Sequence, residues 1–434
     1  MLTARPRPFK NIQSTDDRFL KEDSWITRNV LRRLAWLAVG IGSILIVPLA
    51  FIQSICFVCK LYPYEAIKIL FFSILAAVAL TLFALVNVIF PSLSIRIIPL
   101  ALVPARLRAN MQPDYNTLNV NAPKGKVDTH ETKSENSKVI IRFCGNGYAY
   151  QEVKADIQRD SKELNRRIRA LNYPDVSGSY SISSANDLVN AGIAQIYHIA
   201  DMNRWSSEQT AANVQLYGHS LGGGVALQVA KYFKEKYGMD MPVVVDRSFR
   251  SISAVVAGHL NNLFKVPVWY GRRLCALLLY AGGDFELDSV AAFKALNPEM
   301  VTYINLGRPE EWPGYLERSW WKRLRKYWSA IHYDADPVIP DGSTFTEGIA
   351  EEVVALSGTK TSFIYNGLNI KRSDHLVFGY STRQHIGGEN DHATDMEDLQ
   401  ARDTTTAYKI YKNSVLARDL PPAQVFKSRI ISTN

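Results

Sequence analysis

Two runs without a charged side chain dominate the first quarter of the sequence: 26 residues from Leu34 to Cys59 and 27 from Ile69 to Ile95. Each exceeds the roughly 20 residues needed to cross the hydrocarbon core of a bilayer. The segment between them, Lys60-Leu61-Tyr62-Pro63-Tyr64-Glu65-Ala66-Ile67-Lys68, is short and rich in turn and interface residues. A transmembrane helical hairpin over residues 34–95 is expected, with both of its ends on one side. Arg28, Arg32 and Arg33 precede the first run, and Arg96, Arg106 and Arg108 follow the second. The positive-inside rule therefore places both termini, and whatever follows the hairpin, in the cytoplasm. A cleaved signal peptide fits poorly, because the first run is too long and comes after Asp16, Asp17, Glu22 and Asp23. Buried helices of a soluble protein are the competing assignment, disfavoured by two adjacent runs of this length.

The charge follows the same division. Net charge is +9, yet residues 1–110 carry 13 Lys/Arg against 5 Asp/Glu, and the remainder carries 37 against 36. The basic excess lies on a cytoplasmic segment (1–33) and the flanks of the hairpin, not on the larger domain. Nucleic-acid binding is not expected, because its basic footprint belongs on the folded module. Cys56, Cys59, Cys144 and Cys275 show no disulfide framework, and the Cys56/Cys59 pair sits among Ile55, Phe57 and Val58, as buried apolar cysteines do.

Residues 96–137 are expected to be a linker, with Met111 to Ser137 polar and punctuated by Pro113 and Pro123. From residue 138 to the end, strand and helix patterns alternate. Val139–Phe143, Val214–Tyr217, Val243–Val245, Ala330–Tyr333 and Ser362–Tyr365 read as strands. Helical stretches are expected near 151–170, 185–202 and 221–237, the last ended by Gly238. That order implies an α/β fold with a mostly parallel sheet and helices on both faces.

Gly218-His219-Ser220-Leu221-Gly222 matches the G-x-S-x-G nucleophile elbow, between the strand ending at Tyr217 and a helix opening with Gly223 and Gly224. Small residues on either side let the backbone turn tightly enough to expose the serine. The Leu221 N–H then faces a developing oxyanion, with a helix N-terminus behind it. A second donor is expected from the loop Phe143-Cys144-Gly145-Asn146-Gly147-Tyr148, with Asn146 or Gly147 as candidates. A glycine-rich turn without catalysis is the bland alternative for the first motif, and a plain β-turn for the second.

The sequence of that loop, Leu171-Asn172-Tyr173-Pro174, Ser177-Gly178-Ser179, GHSLGG and Asp246-Arg247-Ser248-Phe249 resembles the α/β-hydrolase superfamily over roughly residues 138–416. It is similar in particular to lipase/esterase-like members and to hydrolase effectors of some intracellular bacterial pathogens. Asp175-Val176 departs from the glycine and apolar residue found in many of them. The resemblance implies an α/β-hydrolase fold after the hairpin and a Ser–Asp–His triad in that order. It selects Asp336 over Asp334, within Asp334-Ala335-Asp336-Pro337-Val338-Ile339-Pro340, to orient the base. Three later histidines could be that base. His392, just before a helix expected near 395–416, and His375, nearer the strand at 362, are close rivals, with His385 behind. His219 is expected to point away from Ser220 and pack locally.

Residues 260–326 are long for a crossover and fit a cap, in which Gly271–Ala281 either lines an acyl pocket or fills core. On a helix, Trp320, Trp321, Leu324, Tyr327 and Trp328 share a face opposite basic residues, which suits either an interfacial helix or one covering the sheet. Taken together, a membrane-anchored serine hydrolase for a lipid or other hydrophobic acyl ester is expected, with no metal or cofactor. A thioesterase or protein deacylase, or a silent membrane-tethered scaffold, are the alternatives.

Overall fold

A computed structural model describes residues 18–21, 30–41, 78, 81–88, 117–146, 148–177, 179–264, 268–297, 300–304, 339, 343, 362–365 and 368–371. Its centre is a seven-stranded sheet built from β1 (Thr117–Ala122), β2 (Gly125–Glu131), β3 (Val139–Phe143), β4 (Arg167–Leu171), β5 (Val214–His219), β6 (Val243–Asp246) and β7 (Val301–Ile304). The spatial order is β1-β2-β4-β3-β5-β6-β7. Strands β4, β3, β5, β6 and β7 run parallel, while β1 and β2 join antiparallel at one edge. The parallel strands are short and mostly apolar, and the arginines of β3 and β4 are paired with carboxylates.

Helices α1 (Lys154–Leu164), α2 (Ala185–Asn203), α3 (Ser207–Asn213) and α4 (Leu221–Tyr237) make the connections among β3, β4, β5 and β6. Alternation along the strands sends Phe143 towards α2, where its ring fills the space left by Gly192, and sends Arg142 to the other face, where it pairs with Asp160 of α1 at 3.0 Å. Helix α2 is buried along most of its length. Asp187 accepts from the Ser184 N–H at 3.1 Å and so satisfies an otherwise unpaired donor at the start of α2. Beyond β6, α5 (Ile252–Phe264), α6 (Val268–Ala281) and α7 (Ser289–Lys294) intervene before β7, so part of the expected cap at 260–326 is a helical pair packed on itself.

Three features differ from the sequence expectation. Residues 117–131, assigned to a linker, form the β1–β2 hairpin; these strands carry few apolar residues, of which Val120 and Val127 are buried. An edge hairpin with one wet face does not need a continuous apolar signature. Strand β4 falls inside the stretch read as helical near 151–170, its Arg167 and Arg169 paired with Glu131 of β2. Strand β8 (Ser362–Tyr365) pairs antiparallel with β9 (Leu368–Lys371) in a sheet of its own. The Asn366-Gly367 dipeptide between them is a hairpin signal.

Among the described residues no helix is long and apolar enough to cross a membrane. Of the expected hairpin, only the helical residues 30–41 and 81–88, with Val78, are described. Most of the linker at 96–116, the strand at Ala330–Tyr333 and the helices expected at 318–328 and 395–416 lie outside the described residues.

Candidate active site

Ser220 occupies the single residue between β5 and α4, with φ 52° and ψ −118°. A non-glycine residue held there stores about 1–3 kcal/mol of backbone strain, so the surroundings must impose it. Three hydrogen bonds do. The Ser220 N–H donates to the Asp246 carbonyl at 2.9 Å, the Ser248 hydroxyl donates to the Ser220 carbonyl at 2.8 Å, and the Gly223 N–H donates to that same carbonyl at 3.0 Å. The motif glycines make the turn sterically possible. A Cβ on Gly218 would lie 2.1 Å from the Gly222 carbonyl oxygen, and one on Gly222 would lie 2.2 Å from that of Phe143. No side chain fits either place.

The end of β6 supports this turn with charge as well as backbone. Asp246 is fully buried. Its carboxylate accepts two hydrogen bonds from Arg247, both at 2.9 Å, and one from the Tyr217 hydroxyl at 2.7 Å. Burial alone would push the Asp246 carboxyl up, but the Arg247 guanidinium, His219 and the Tyr217 hydroxyl together outweigh it and hold the pKa below the ordinary carboxylate value. Tyr217 is in turn covered by the Arg142 guanidinium, 5.5 Å from its ring centroid. With both oxygens engaged inside the fold, Asp246 braces the turn.

The loop after β3 closes on the other side of Ser220. A Cβ on Gly145 would meet the His219 Nδ1 at 2.8 Å and the Ser220 Cβ at 3.4 Å, so only glycine lets this backbone approach so near. The Tyr173 hydroxyl donates to the Cys144 carbonyl at 3.0 Å, and burial pushes that phenol well above its ordinary pKa, so it remains a donor. Asn172 accepts from the Tyr150 N–H at 3.0 Å and donates to Asp128 at 2.9 Å, tying the far end of the loop to β2. Ser179 donates to the Asn172 carbonyl and accepts from the Asp128 N–H. The Asn172-Tyr173 and Ser179 motifs thus brace the loop beside the serine. Asp175 adopts φ 66°, in the left-handed region that aspartate tolerates.

Of the residues singled out in the sequence, Ser220, Leu221, Asn146 and His219 are described. Leu221 opens α4, where backbone N–H groups lack intrahelical acceptors. Asn146 is exposed, one residue beyond Gly145. His219 packs against Gly145. Gly147, Asp334, Asp336, His375, His385 and His392 lie outside the described residues. Gly145, Asp246 and Ser248 were not singled out individually. The available signals were a glycine next to the expected oxyanion donors and an acidic residue ending an all-valine strand. Among the described residues no group of His, Cys, Asp and Glu side chains could hold a metal ion.

No family model and no curated protein matches the chain. Among solved structures, it is similar to an α/β-hydrolase from Vibrio vulnificus, at 17% identity and a TM-score of 0.35, over 44% of this chain and 62% of that one. It is also similar to an esterase of Pyrococcus furiosus (12% identity, TM-score 0.33, 44% of this chain and 70% of that one). A thermostable carboxylesterase cloned from a metagenomic library gives 13% identity and a TM-score of 0.31, over 50% and 73% of the two chains. The chain thus spans less than two thirds of the Vibrio protein's length. Independently of these neighbours, the strand order, the parallel centre and the serine turn after β5 are those of an α/β-hydrolase-like fold with a mixed sheet.

Proposed function

We propose that the protein is a serine hydrolase that cleaves a hydrophobic acyl ester, with Ser220 as nucleophile. The observation that carries this reading is the strained Ser220 backbone at the junction of β5 and α4, held by three hydrogen bonds and by glycines without room for a side chain. Strain of this kind is stored where function requires it. In the proposed mechanism a histidine removes the Ser220 proton as the hydroxyl attacks the ester carbonyl. Asp336 orients that histidine, and the Leu221 N–H with Asn146 or Gly147 holds the oxyanion. The carbonyl re-forms as the protonated alcohol leaves, and water then releases the acid from the acyl-serine by the same route.

Ile339 and Ser343 support the assignment of Asp336, their near neighbour in sequence. Ile339 is buried in the main core, and Ser343 binds both the loop after β6 and the start of α5: its carbonyl accepts from the Arg250 N–H at 2.7 Å and its hydroxyl donates to the Ala254 carbonyl at 2.8 Å. That loop includes Ser248, which holds Ser220. His392 is the proposed base, with His375 as its rival. The uncharged runs at 34–59 and 69–95 form the membrane anchor in this reading, with both termini and the hydrolase domain on the cytoplasmic side.

The test is hydrolysis of short and long p-nitrophenyl esters by the full chain in detergent, comparing wild type with Ser220→Ala, His392→Ala and His375→Ala. Activity is expected to vanish with Ser220→Ala and with His392→Ala, while His375→Ala retains it. Turnover unchanged by Ser220→Ala would end the proposal.

A further inference from the structure

The helical residues 30–41 and 81–88 bury the wrong side chains for helices facing water. On 30–41, Arg32, Ala35, Trp36 and Val39 are buried, while Leu34, Leu37 and Ile41 are exposed along the opposite stripe. On 81–88, Ala84 and Asn87 are buried, while Leu82, Leu85 and Val86 are exposed. A surface helix places polar residues outward and large aliphatics inward. Beside the Trp36 and Phe83 rings the two helices meet through small residues, with a Cβ on Gly40 placed 3.6 Å from the Ala84 Cβ, as where helices meet in lipid. Buried Asn87 is satisfied by its own helix, donating to the Phe83 carbonyl at 2.8 Å.

Both helices are fastened to the hydrolase domain through α6. The Trp36 indole donates to the Ala281 carbonyl at 3.0 Å and meets the Phe83 ring edge-on, with centroids 5.3 Å apart. Leu277, Leu278 and Tyr280 of α6 pack against the same cluster. Helix α6 packs on α5, which follows the strand that supports the Ser220 turn. Helix α5 starts four residues after Ser248, and beyond α6 the Asp284 carbonyl accepts from the Ala185 N–H at 3.1 Å, at the loop that follows β4.

We infer that the exposed stripes of residues 34–41 and 81–88, fastened to the domain through α6, form one lipid-facing surface that holds the Ser220 domain against an anionic bilayer. The bilayer, rather than a protein, is the occupant for two reasons. The exposed stripes lie within runs that stay uncharged for 26 and 27 residues, longer than a docking helix requires. Cations border them, with Arg33 and Arg273 exposed and Arg28 and Arg96 adjoining in sequence, which suits anionic headgroups. Residues 18–20 fit the same arrangement. The Leu20 N–H donates to Asn190 of α2 at 2.9 Å, and the Tyr232 hydroxyl of α4 donates to the Arg18 carbonyl at 2.5 Å. The chain is therefore held by the hydrolase domain both before the first uncharged run and after the second, as two crossings demand. Resting on the esterase reading, the surface makes a bilayer-resident acyl lipid the substrate.

The test places a benzophenone amino acid singly at Leu37, Leu85 or Met202, the last exposed on α2, in the full chain reconstituted into phosphatidylcholine/phosphatidylserine vesicles. Ultraviolet crosslinking from positions 37 and 85 is expected to give lipid adducts about tenfold above those from position 202, in the Ser220→Ala chain as in wild type. Equal lipid yields at all three positions, or adducts to protein alone from 37 and 85, overturn the surface. Because this readout needs no turnover, failure of the esterase reading leaves it intact. The substrate is read separately in the same vesicles. Preference of the wild-type chain for a bilayer-embedded ester over a soluble ester of equal acyl length supports it, and equal or reversed preference overturns it.

Discussion

The turn at Ser220 and the junction at Trp36 are both tightly packed, but by different means. At Ser220, backbone meets backbone: Gly218 and Gly222 leave no space for a Cβ, Gly145 lies close against the His219 ring, and the buried Asp246–Arg247–Tyr217 cluster braces the turn. At Trp36, side chains meet side chains around a single indole hydrogen bond, and the helices turn large aliphatics outward. The first arrangement fixes one serine in a strained geometry and, at Gly218 and Gly222, tolerates no added atom. The second fastens one unit to another and can absorb small changes. Substitutions should separate the two regions in size and in kind.

The largest effect is expected from Gly222→Ala, whose new methyl would meet the Phe143 carbonyl with no flexible side chain to yield. Loss beyond about 4 kcal/mol, the range of the most disruptive single changes, should appear in urea denaturation of the full chain in detergent. Next comes Asp246→Asn, which leaves Arg247 buried without its anion; breaking such a pair costs about 3–5 kcal/mol. Its pH dependence identifies the cause. The folded carboxyl titrates below its ordinary value, so its contribution is complete above an unfolded pKa of about 3.9 and fades as pH falls through the folded one. Wild type and Asp246→Asn should therefore converge in stability under acid and diverge at neutral pH.

Gly145→Ala should separate activity from stability. Its methyl would meet the His219 ring, a side chain that can shift, so folding should change by only about 1 kcal/mol. The moved loop should nonetheless lower kcat on a soluble ester about tenfold. The smallest effect is expected at the junction. Trp36→Phe keeps an aromatic ring but leaves the Ala281 carbonyl without its donor, a loss of about 1 kcal/mol by denaturation, with soluble-ester kcat unchanged within about twofold. An effect of Trp36→Phe on stability as large as that of Gly222→Ala would erase the contrast between the regions.

The same contrast explains what could be read from the sequence. The elbow is a local event, because Val214–Tyr217, the two flanking glycines and the helix beginning at Leu221 adjoin in the chain. Of the parallel strands, β3, β5 and β6 stood out as short, mostly apolar runs, while β7 did not. Strand β4 was hidden because Arg167 and Arg169, charged in sequence, share Glu131 on a strand some 36 to 38 residues away. The β1–β2 hairpin was hidden because an edge with one wet face needs few apolar residues. Asp246 reads as a loop aspartate until the fold brings Tyr217 to it. Trp36 meets Ala281 across 245 residues, and no window along the chain contains both.

The central claim is that Ser220 is the nucleophile, and covalent labelling tests it most directly. The full chain in detergent is treated with a fluorophosphonate, the site of the adduct is mapped by peptide mass spectrometry, and residual ester hydrolysis is measured in the same samples. A single adduct on Ser220 that accumulates in step with loss of hydrolysis, and is absent from Ser220→Ala, is the predicted result. An adduct on another residue that abolishes hydrolysis, or hydrolysis that persists with Ser220 fully modified, would contradict it.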